Sequence, residues 1–352
     1  MRSFVHQALP VRVVFGAGSL QQVARELDAL GATRALLLST PGQVDSARRI
    51  SDLLGSRAAG IFPGAAMHVP IEAARAAREE ARRLGADCAI AIGGGSTIGL
   101  GKAIALESGL PIIAIPTTYA GSEMTPIYGV TEASVKKTGR DPRVLPRTVI
   151  YDPELTLTLS LPVTVASSMN AIAHAAEGLY AHDGNPSLSL LAEEGIRSIA
   201  AALPSLARDP GDLSARGDAL YGAWLCGSVL GGVSMGLHHK LCHTLGGSFG
   251  LPHAEVHTVI LPHALEYNGA AAPDAMQRIA RALGTPSAAA GVFELAARHH
   301  GKVALRDLGM PEDGLDRAAD LAVQNQYPNP RPLERDAIRA LLQRAFEGVR
   351  PD

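Results

Sequence analysis

At 352 residues the chain is long enough for two domains that each bury a core, and an apolar share of 47% with 19% charged residues does not suggest a disordered tail. The 32 Lys and Arg balance 34 Asp and Glu, and no basic block or aromatic-basic interleaving occurs, which argues against a nucleic-acid partner. Cys88, Cys226 and Cys242 have neither disulfide-framework nor metal-finger spacing, the N-terminus has no apolar signal core, and no apolar run approaches the ~18 residues of a membrane span. The expectation is a soluble cytoplasmic protein that engages no membrane.

Residues 11–15 (VRVVF) read as a short strand running into Gly16-Ala17-Gly18 and a helical pattern that Ser19 would cap. Backbone N–H groups at such a junction can meet an anion. Residues 34–39 (RALLLS) are a continuous apolar strand, as a parallel sheet buried on both faces requires. An acidic residue closing this strand would favour NAD over NADP; Ser39 and Thr40 are neutral, so NADH and NADPH both stay open. Residues 71–84 follow as an amphipathic helix. Residues 88–92 (CAIAI) are another buried strand, leading into Gly93-Gly94-Gly95-Ser96 and a helix from about Thr97 that carries Lys102. Three glycines let the backbone approach a ligand closely, and their N–H groups at a helix start form a pyrophosphate cradle. Residues 111–115 (PIIAI) end in Pro116-Thr117-Thr118-Tyr119-Ala120-Gly121-Ser122-Glu123, whose hydroxyls and small residues suit a nucleotide. Residues 148–152 (TVIYD) close the series. The candidate cofactor contacts are Gly16, Gly18, Ser39, Gly94, Gly95, Ser96, Thr117, Thr118, Tyr119 and Ser122.

From Pro162 strand signals disappear. Residues 169–180 place Asn170, His174 and Glu177 as one polar stripe on an apolar helix, which must face solvent or a site. Residues 188–206 and 219–236 read as long apolar helices, with Gly222 and Gly232 among the glycines that would let them pack closely. Residues 275–283, 292–308 and 334–346 are helical in pattern, and residues 326–332 (QYPNPRP) form a rigid link whose Arg331 could meet an anion. The fold class is an α/β Rossmann-like nucleotide-binding domain, residues 1–155, followed by an all-α domain, residues 156–352, with a site expected between them.

Residues 236–263 (GLHHKLCHTLGGSFGLPHAEVHTVILPH) hold six of the twelve histidines. His239 and His243 share a helix face, Gly246, Gly247, Gly250 and Pro252 would break that helix, and His253 and His257 repeat the four-residue spacing. Imidazoles so placed can ligate a metal, move protons or stabilise an oxyanion.

Over essentially its whole length the chain resembles the iron-containing alcohol dehydrogenase superfamily, through FGAG, GGGS, IPTTYAGSE, the His174 helix, the H-x-x-x-H pair, a histidine ten residues on, and NPR near the end. The resemblance implies NAD(P) as cofactor and a homodimer. In metal-dependent members an aspartate and three histidines are ligands; matched by position these fall on Asn170, His174, His239 and His253, with His243 a further active-site histidine. Asn170 supplies no anionic oxygen, so the metal site should be weakened and no metal is expected. Gly99 stands where an aspartate is usual. Both departures are similar to the branch of the superfamily that reduces 2-maleylacetate, a dicarboxylate enone from aromatic and chloroaromatic breakdown, to 3-oxoadipate.

That resemblance implies hydride delivery from NAD(P)H to the carbon β to the ketone, leaving charge on the ketone oxygen. His243, His239 and His253 are the candidate donors and proton sources, Asn170 is a neutral hydrogen-bond donor to substrate, and His174 completes the set. Lys240, Arg331 and Lys102 are possible carboxylate partners. The alternatives are a metal-dependent alcohol dehydrogenase binding metal through the Asn170 carbonyl, a lyase resembling dehydroquinate synthase, and a non-catalytic nucleotide-binding sensor.

Overall fold

The computed structural model describes residues 3–133, 135–325 and 327–352. In it the apolar runs of the first half form a parallel sheet of six strands. The strands are β1 (Arg12–Phe15), β2 (Ala35–Leu38), β3 (Ala58–Phe62), β4 (Cys88–Gly93), β5 (Ile112–Pro116) and, after an antiparallel hairpin of β6 (Ile127–Glu132) and β7 (Val135–Arg140), β8 (Thr148–Tyr151). Their order is β1-β8-β5-β4-β2-β3, and Ile90 of β4 lies in register between Leu37 of β2 and Ile113 of β5. Successive residues of a strand face opposite sides, so a central strand must be apolar throughout. Ile90 and Ile92 pack on one face with Leu27 and Ile50, from helices α1 (Val23–Ala29) and α2 (Val44–Leu54). Ala89 and Ala91 pack on the other with Ala77 and Ile104, from α3 (Ile71–Leu84) and α4 (Gly95–Ser108). The chain therefore leaves β2 onto one face and β4 onto the other. Their outgoing loops diverge and open a crevice at the carboxyl ends of the strands, the usual place for a ligand in an open α/β sheet.

Three elements of this unit, which spans Ala8–Leu159, have weak sequence signals. Strand β3 (AAGIF) is short and half-buried throughout, and the hairpin strand β6 is half-buried at all six residues, so neither alternates. Helix α2 buries only Ala47, Ile50 and Leu54 beneath a charged surface. The Ser19 expectation is corrected: Gly18 is the cap residue of a 3-10 turn, and the Ser19 hydroxyl instead donates to the carbonyl of Tyr151.

The second unit comprises Ser160–Asp352 with the N-terminal residues up to Gln7, and holds no strand among its described residues. Helices α5 (Leu161–Tyr180), α6 (Pro186–Arg208) and α7 (Leu213–Gly232) pack together. Close approach is built in: a Cβ on Gly222 would meet the Gly195 carbonyl oxygen at 2.8 Å, and one on Gly232 would meet Leu188 at 2.8 Å. Helices α8 (Leu237–Phe249), α9 (His253–Gly269), α10 (Pro273–Leu283), α11 (Ala288–His299), α12 (Leu315–Ala322) and α13 (Arg335–Glu347) follow. Leu241, Leu245, Ile260, Leu315 and Leu342 share one core from α8, α9, α12 and α13.

Several sequence boundaries move. The expected helix over 219–236 ends at Gly232, and the one over 292–308 stops at His299, with a separate 3-10 turn at Leu305–Leu308. Gly246 and Gly247 do not break α8, which continues to Phe249 and stops at left-handed Gly250. Gln326 of the expected link lies outside the described residues. Among those residues no single helix is long and apolar enough to cross a membrane; α7 and α8 pass by length and composition only as a pair bent by 96°. Cys88, Cys226 and Cys242 are buried and unpaired.

Candidate active site

In the α/β unit the crevice between the β2 and β4 ends is lined by the glycine loop. Gly93 is held at φ +149°, and a Cβ there would meet Thr97 Oγ1 at 2.5 Å and Gln43 Oε1 at 2.6 Å, so glycine is required twice over. Gly94 caps α4, Thr118 lies against it, and the Gln43 side chain donates to Thr117 Oγ1 at 2.8 Å, tying the β2 turn to the β5 turn. At Gly95, the first residue of this 14-residue helix, a Cβ would point into open space. Buried Ser39 Oγ and Thr97 Oγ1 have no hydrogen-bond partner. An anion cradle at a helix N-terminus with two unpartnered hydroxyls beside it fits a dinucleotide phosphate. Gln43 was missed, because its role depends on where a turn folds rather than on a pattern.

The structure does not bring every candidate there. Gly16 and Gly18 end edge strand β1, with β8 and β5 between them and β4. The Gly18 and Leu20 N–H groups already donate to the Asp152 carboxylate at 3.1 and 3.0 Å, so the anion at that turn is the protein's own. Tyr119 is fully buried. Ser122 is engaged by Lys102, whose buried ammonium donates within 2.6–3.2 Å to the carbonyls of Ser122, Thr125 and Ile127 and to the Ser122 and Thr125 hydroxyls. Burial brings its pKa down to about 7. Lys102 is therefore a loop clamp and not a carboxylate partner. At Gly99 a Cβ would strike Val69 at 2.7 Å. Val69 itself sits at φ +51°, a strained conformation for a β-branched residue, and its carbonyl accepts from the Thr131 N–H. That packing gives a physical reason for the missing aspartate.

In the helical unit α5, α8 and α9 bring eight polar side chains together. Asn170, His174 and Glu177 are all buried, so the stripe on α5 faces inward. The His174 ring lies 5.1 Å from that of His239, and His239 lies 4.9 Å from His257, while His253 is 4.4 Å from His257 and 6.2 Å from His243. His243 and His253 are exposed, whereas His174, His238, His239 and His257 are buried. The cluster thus has an open side and a deep side. On the deep side Asn170 Oδ1, His174 Nδ1, His239 Nε2 and both His257 nitrogens have no hydrogen-bond partner. Burial is the first cause that pushes the His174, His239 and His257 pKa values well down, and mutual repulsion among the rings adds to it; His238 falls to about 3. These rings are neutral near pH 7.

Glu177 anchors the deep side. Its carboxylate accepts from the N–H groups of Gly236, His238 and His239 at 3.1, 2.9 and 3.3 Å, and from His239 Nδ1 at 2.6 Å. A carboxylate at a helix N-terminus is stabilised by the unpaired N–H groups there. Gly236 makes room for it, since a Cβ would meet Glu177 Oε1 at 3.2 Å and Asn329 Oδ1 at 3.1 Å. The Asn329 side chain accepts from Leu237 N–H, so the NPR segment also caps α8. Arg331 stacks over the Tyr267 ring at 4.2 Å, and Lys240 lies 6.0 Å from the Tyr327 ring. The sequence singled out the Glu177 stripe, but no signal revealed that Glu177, His238 and His257 form a network behind the candidate residues.

The four family ligand positions are Asn170, His174, His239 and His253. They offer an amide oxygen and imidazoles, with no anionic oxygen. Among the described residues His238, His239 and His257 offer ring nitrogens within 4.8 Å of one another, a group that could hold a cation.

A glycine loop at a helix N-terminus in a parallel α/β unit and a histidine cluster in a helical unit suit a nucleotide-dependent enzyme. Residues 10–153 match the family model of iron-containing alcohol dehydrogenases, and residues 164–346 match the C-terminal model of the Fe-containing alcohol dehydrogenase family. The chain belongs to the iron-containing alcohol dehydrogenase family. It is 71% identical over 351 residues to maleylacetate reductase of Burkholderia cepacia and 56% identical over 348 residues to that of Sphingobium indicum, covering at least 99% of each chain. Its fold is similar to the crystal structure of maleylacetate reductase from Agrobacterium tumefaciens, with a TM-score of 0.97 at 55% identity and full coverage of both chains.

Proposed function

We propose that the chain reduces the carbon–carbon double bond of 2-maleylacetate to give 3-oxoadipate, using NADH or NADPH, in the breakdown of aromatic and chloroaromatic compounds. The observation that carries this reading is the 71% identity along the whole chain to a maleylacetate reductase. A bound reduced nicotinamide supplies the hydride. The chain's own residues hold the pyrophosphate at Gly94, Gly95 and Ser96 and deal with the charge that develops on the ketone oxygen. His243 and His253, exposed on the open side of the cluster, are the donors for that oxygen, and one of them or a water they hold protonates the adjacent carbon. Asn170 presents a neutral amide where metal-dependent relatives place a carboxylate.

We further propose that catalysis proceeds without a metal ion, supported by a neutral donor set with no anionic oxygen at the family ligand positions, and that the protein is a cytoplasmic homodimer. A metal-dependent alcohol dehydrogenase is the second reading. It is favoured by the unpartnered acceptor atoms Asn170 Oδ1, His174 Nδ1 and His239 Nε2, each able to ligate a cation. NADH consumption with fresh maleylacetate and a strong chelator separates the two. Undiminished turnover supports the metal-free reading. Activity that is lost with chelator and restored by iron or zinc supports the second reading, and turnover under neither condition overturns the substrate assignment.

A further inference from the structure

We infer that Glu177 is a positioning residue that fixes the tautomer and orientation of His239, so that the site receives the lone pair of His239 Nε2 and not an N–H. The Glu177 carboxylate is surrounded by donors: three backbone N–H groups point at its two oxygens. It can only accept, so the 2.6 Å contact places the His239 proton on Nδ1. The neighbouring ring leads to the same assignment. His238 Nε2 lies 3.1 Å from the His257 carbonyl, which can only accept, so His238 carries its proton there and leaves a lone pair on Nδ1. That lone pair faces His239 Nδ1 at 3.3 Å. A proton on His239 Nδ1 satisfies both neighbours, whereas a proton on Nε2 would leave a carboxylate and two ring lone pairs facing one another.

His239 Nε2 is then a buried lone pair without a protein partner. In this state it accepts a hydrogen bond and cannot donate one to an enolate oxygen. This deepens the reading of the proposed reduction: the donor role passes to His243 and His253, and His239 orients whatever proton-bearing group meets it. Glu177 also caps α8, so a loss of activity alone would not show positioning.

The test is a double-mutant cycle joined to a spectrum. In Glu177→Gln the amide either turns its oxygen to Gly236 N–H, His239 N–H and His239 Nδ1, or turns its NH2 to Nδ1 and leaves those two backbone donors unmet; in both cases the charge that fixes the tautomer is gone. We expect kcat with maleylacetate to fall about 10- to 100-fold, and the same change to have less than about a twofold effect in a His239→Gln background. Ring-nitrogen NMR of 15N-histidine-labelled protein, with the His239 signals assigned by their loss in His239→Gln, should show Nδ1–H alone in the native protein and a mixture of Nδ1–H and Nε2–H in Glu177→Gln. Equal losses of kcat in both backgrounds, or a native His239 that carries its proton on Nε2, would overturn the inference. The spectrum requires no substrate, so it stands or falls separately from the maleylacetate assignment.

Discussion

In the α/β unit the buried Lys102 amine is surrounded by five oxygens of the loop it holds. In the helical unit Asn170, His174, His239 and His257 are also buried, yet each keeps an amide or ring atom without a partner. Both arrangements remove polar groups from water, which costs roughly 1–3 kcal/mol for each atom left unpaired. A group whose partners are all supplied by the chain is scaffolding. Several unpaired atoms converging from three helices are tolerated where a ligand completes them.

The largest effect is expected where the cluster opens. His243→Ala should lower kcat by about 10²- to 10⁴-fold, the usual contribution of a positioned acid or base. NADH affinity, measured by fluorescence titration, should stay within about twofold of native, because the cradle lies in the other unit. Unchanged turnover would remove His243 from the mechanism and pass its role to His253.

On the scaffold side the readout is stability. Lys102→Met strips the donor from three buried carbonyls and two hydroxyls, and should cost about 3 kcal/mol in urea unfolding. NADH should also bind more weakly, since the loop it clamps begins at the β5 turn. Full stability with native binding would show that the loop needs no clamp, and the contrast between the two clusters would lose its first half.

A buried histidine outside the cluster sharpens the contrast through pH. His263 is 1% exposed, neither ring nitrogen has a partner, and burial, reinforced by Arg344, lowers its pKa to about 4. Its folded value lies below the unfolded value of about 6.5. The unfolded chain therefore binds the proton first as pH falls, and stability present above pH 6.5 is lost on the way to pH 4. At pH 5 this one residue accounts for about 2 kcal/mol. His263→Leu should flatten that part of the profile by this amount while turnover at pH 7 is retained. A slope remains, because the buried cluster histidines shift in the same direction.

How far the sequence spoke depended on whether a feature is local. The buried strands β2, β4 and β5, the glycine loop and the helical half are legible because each is an unbroken run or a single turn. Strand β3 and the hairpin were not, because half-buried strands carry no alternation. Asn170, His174, His239, His243 and His253 could be listed from motif positions, but their order in depth could not: exposure of His243 and His253 above the buried rings follows from how α5, α8 and α9 cross. The Glu177 network is equally non-local, joining residues 59 to 62 positions apart. The glycine turn at the first strand-to-helix junction also brought Gly18 forward as a cofactor contact, where the structure shows an N–H already committed to Asp152.

The smallest expected effect is the most specific, and it lies in the cradle. Gly93 and Gly94 are held by packing: a side chain at 93 meets Gln43 and Thr97 within 2.6 Å, and one at 94 meets Thr118 at 3.1 Å. Substitution at either would disturb the fold and the ligand site together. Gly95 differs, because it is exposed, lies within α4, and its Cβ would find nothing within 4 Å. Gly95→Val should therefore leave folding stability within about 0.5 kcal/mol of native, since a valine costs no more than glycine in a helix. The added methyl groups would occupy the space over the helix N-terminus, so the dissociation constant for NADH should rise at least about tenfold, near 1.4 kcal/mol. Unchanged NADH binding in a stably folded Gly95→Val protein would move the phosphate away from this loop, and the unpartnered hydroxyls of Ser39 and Thr97 would need another explanation.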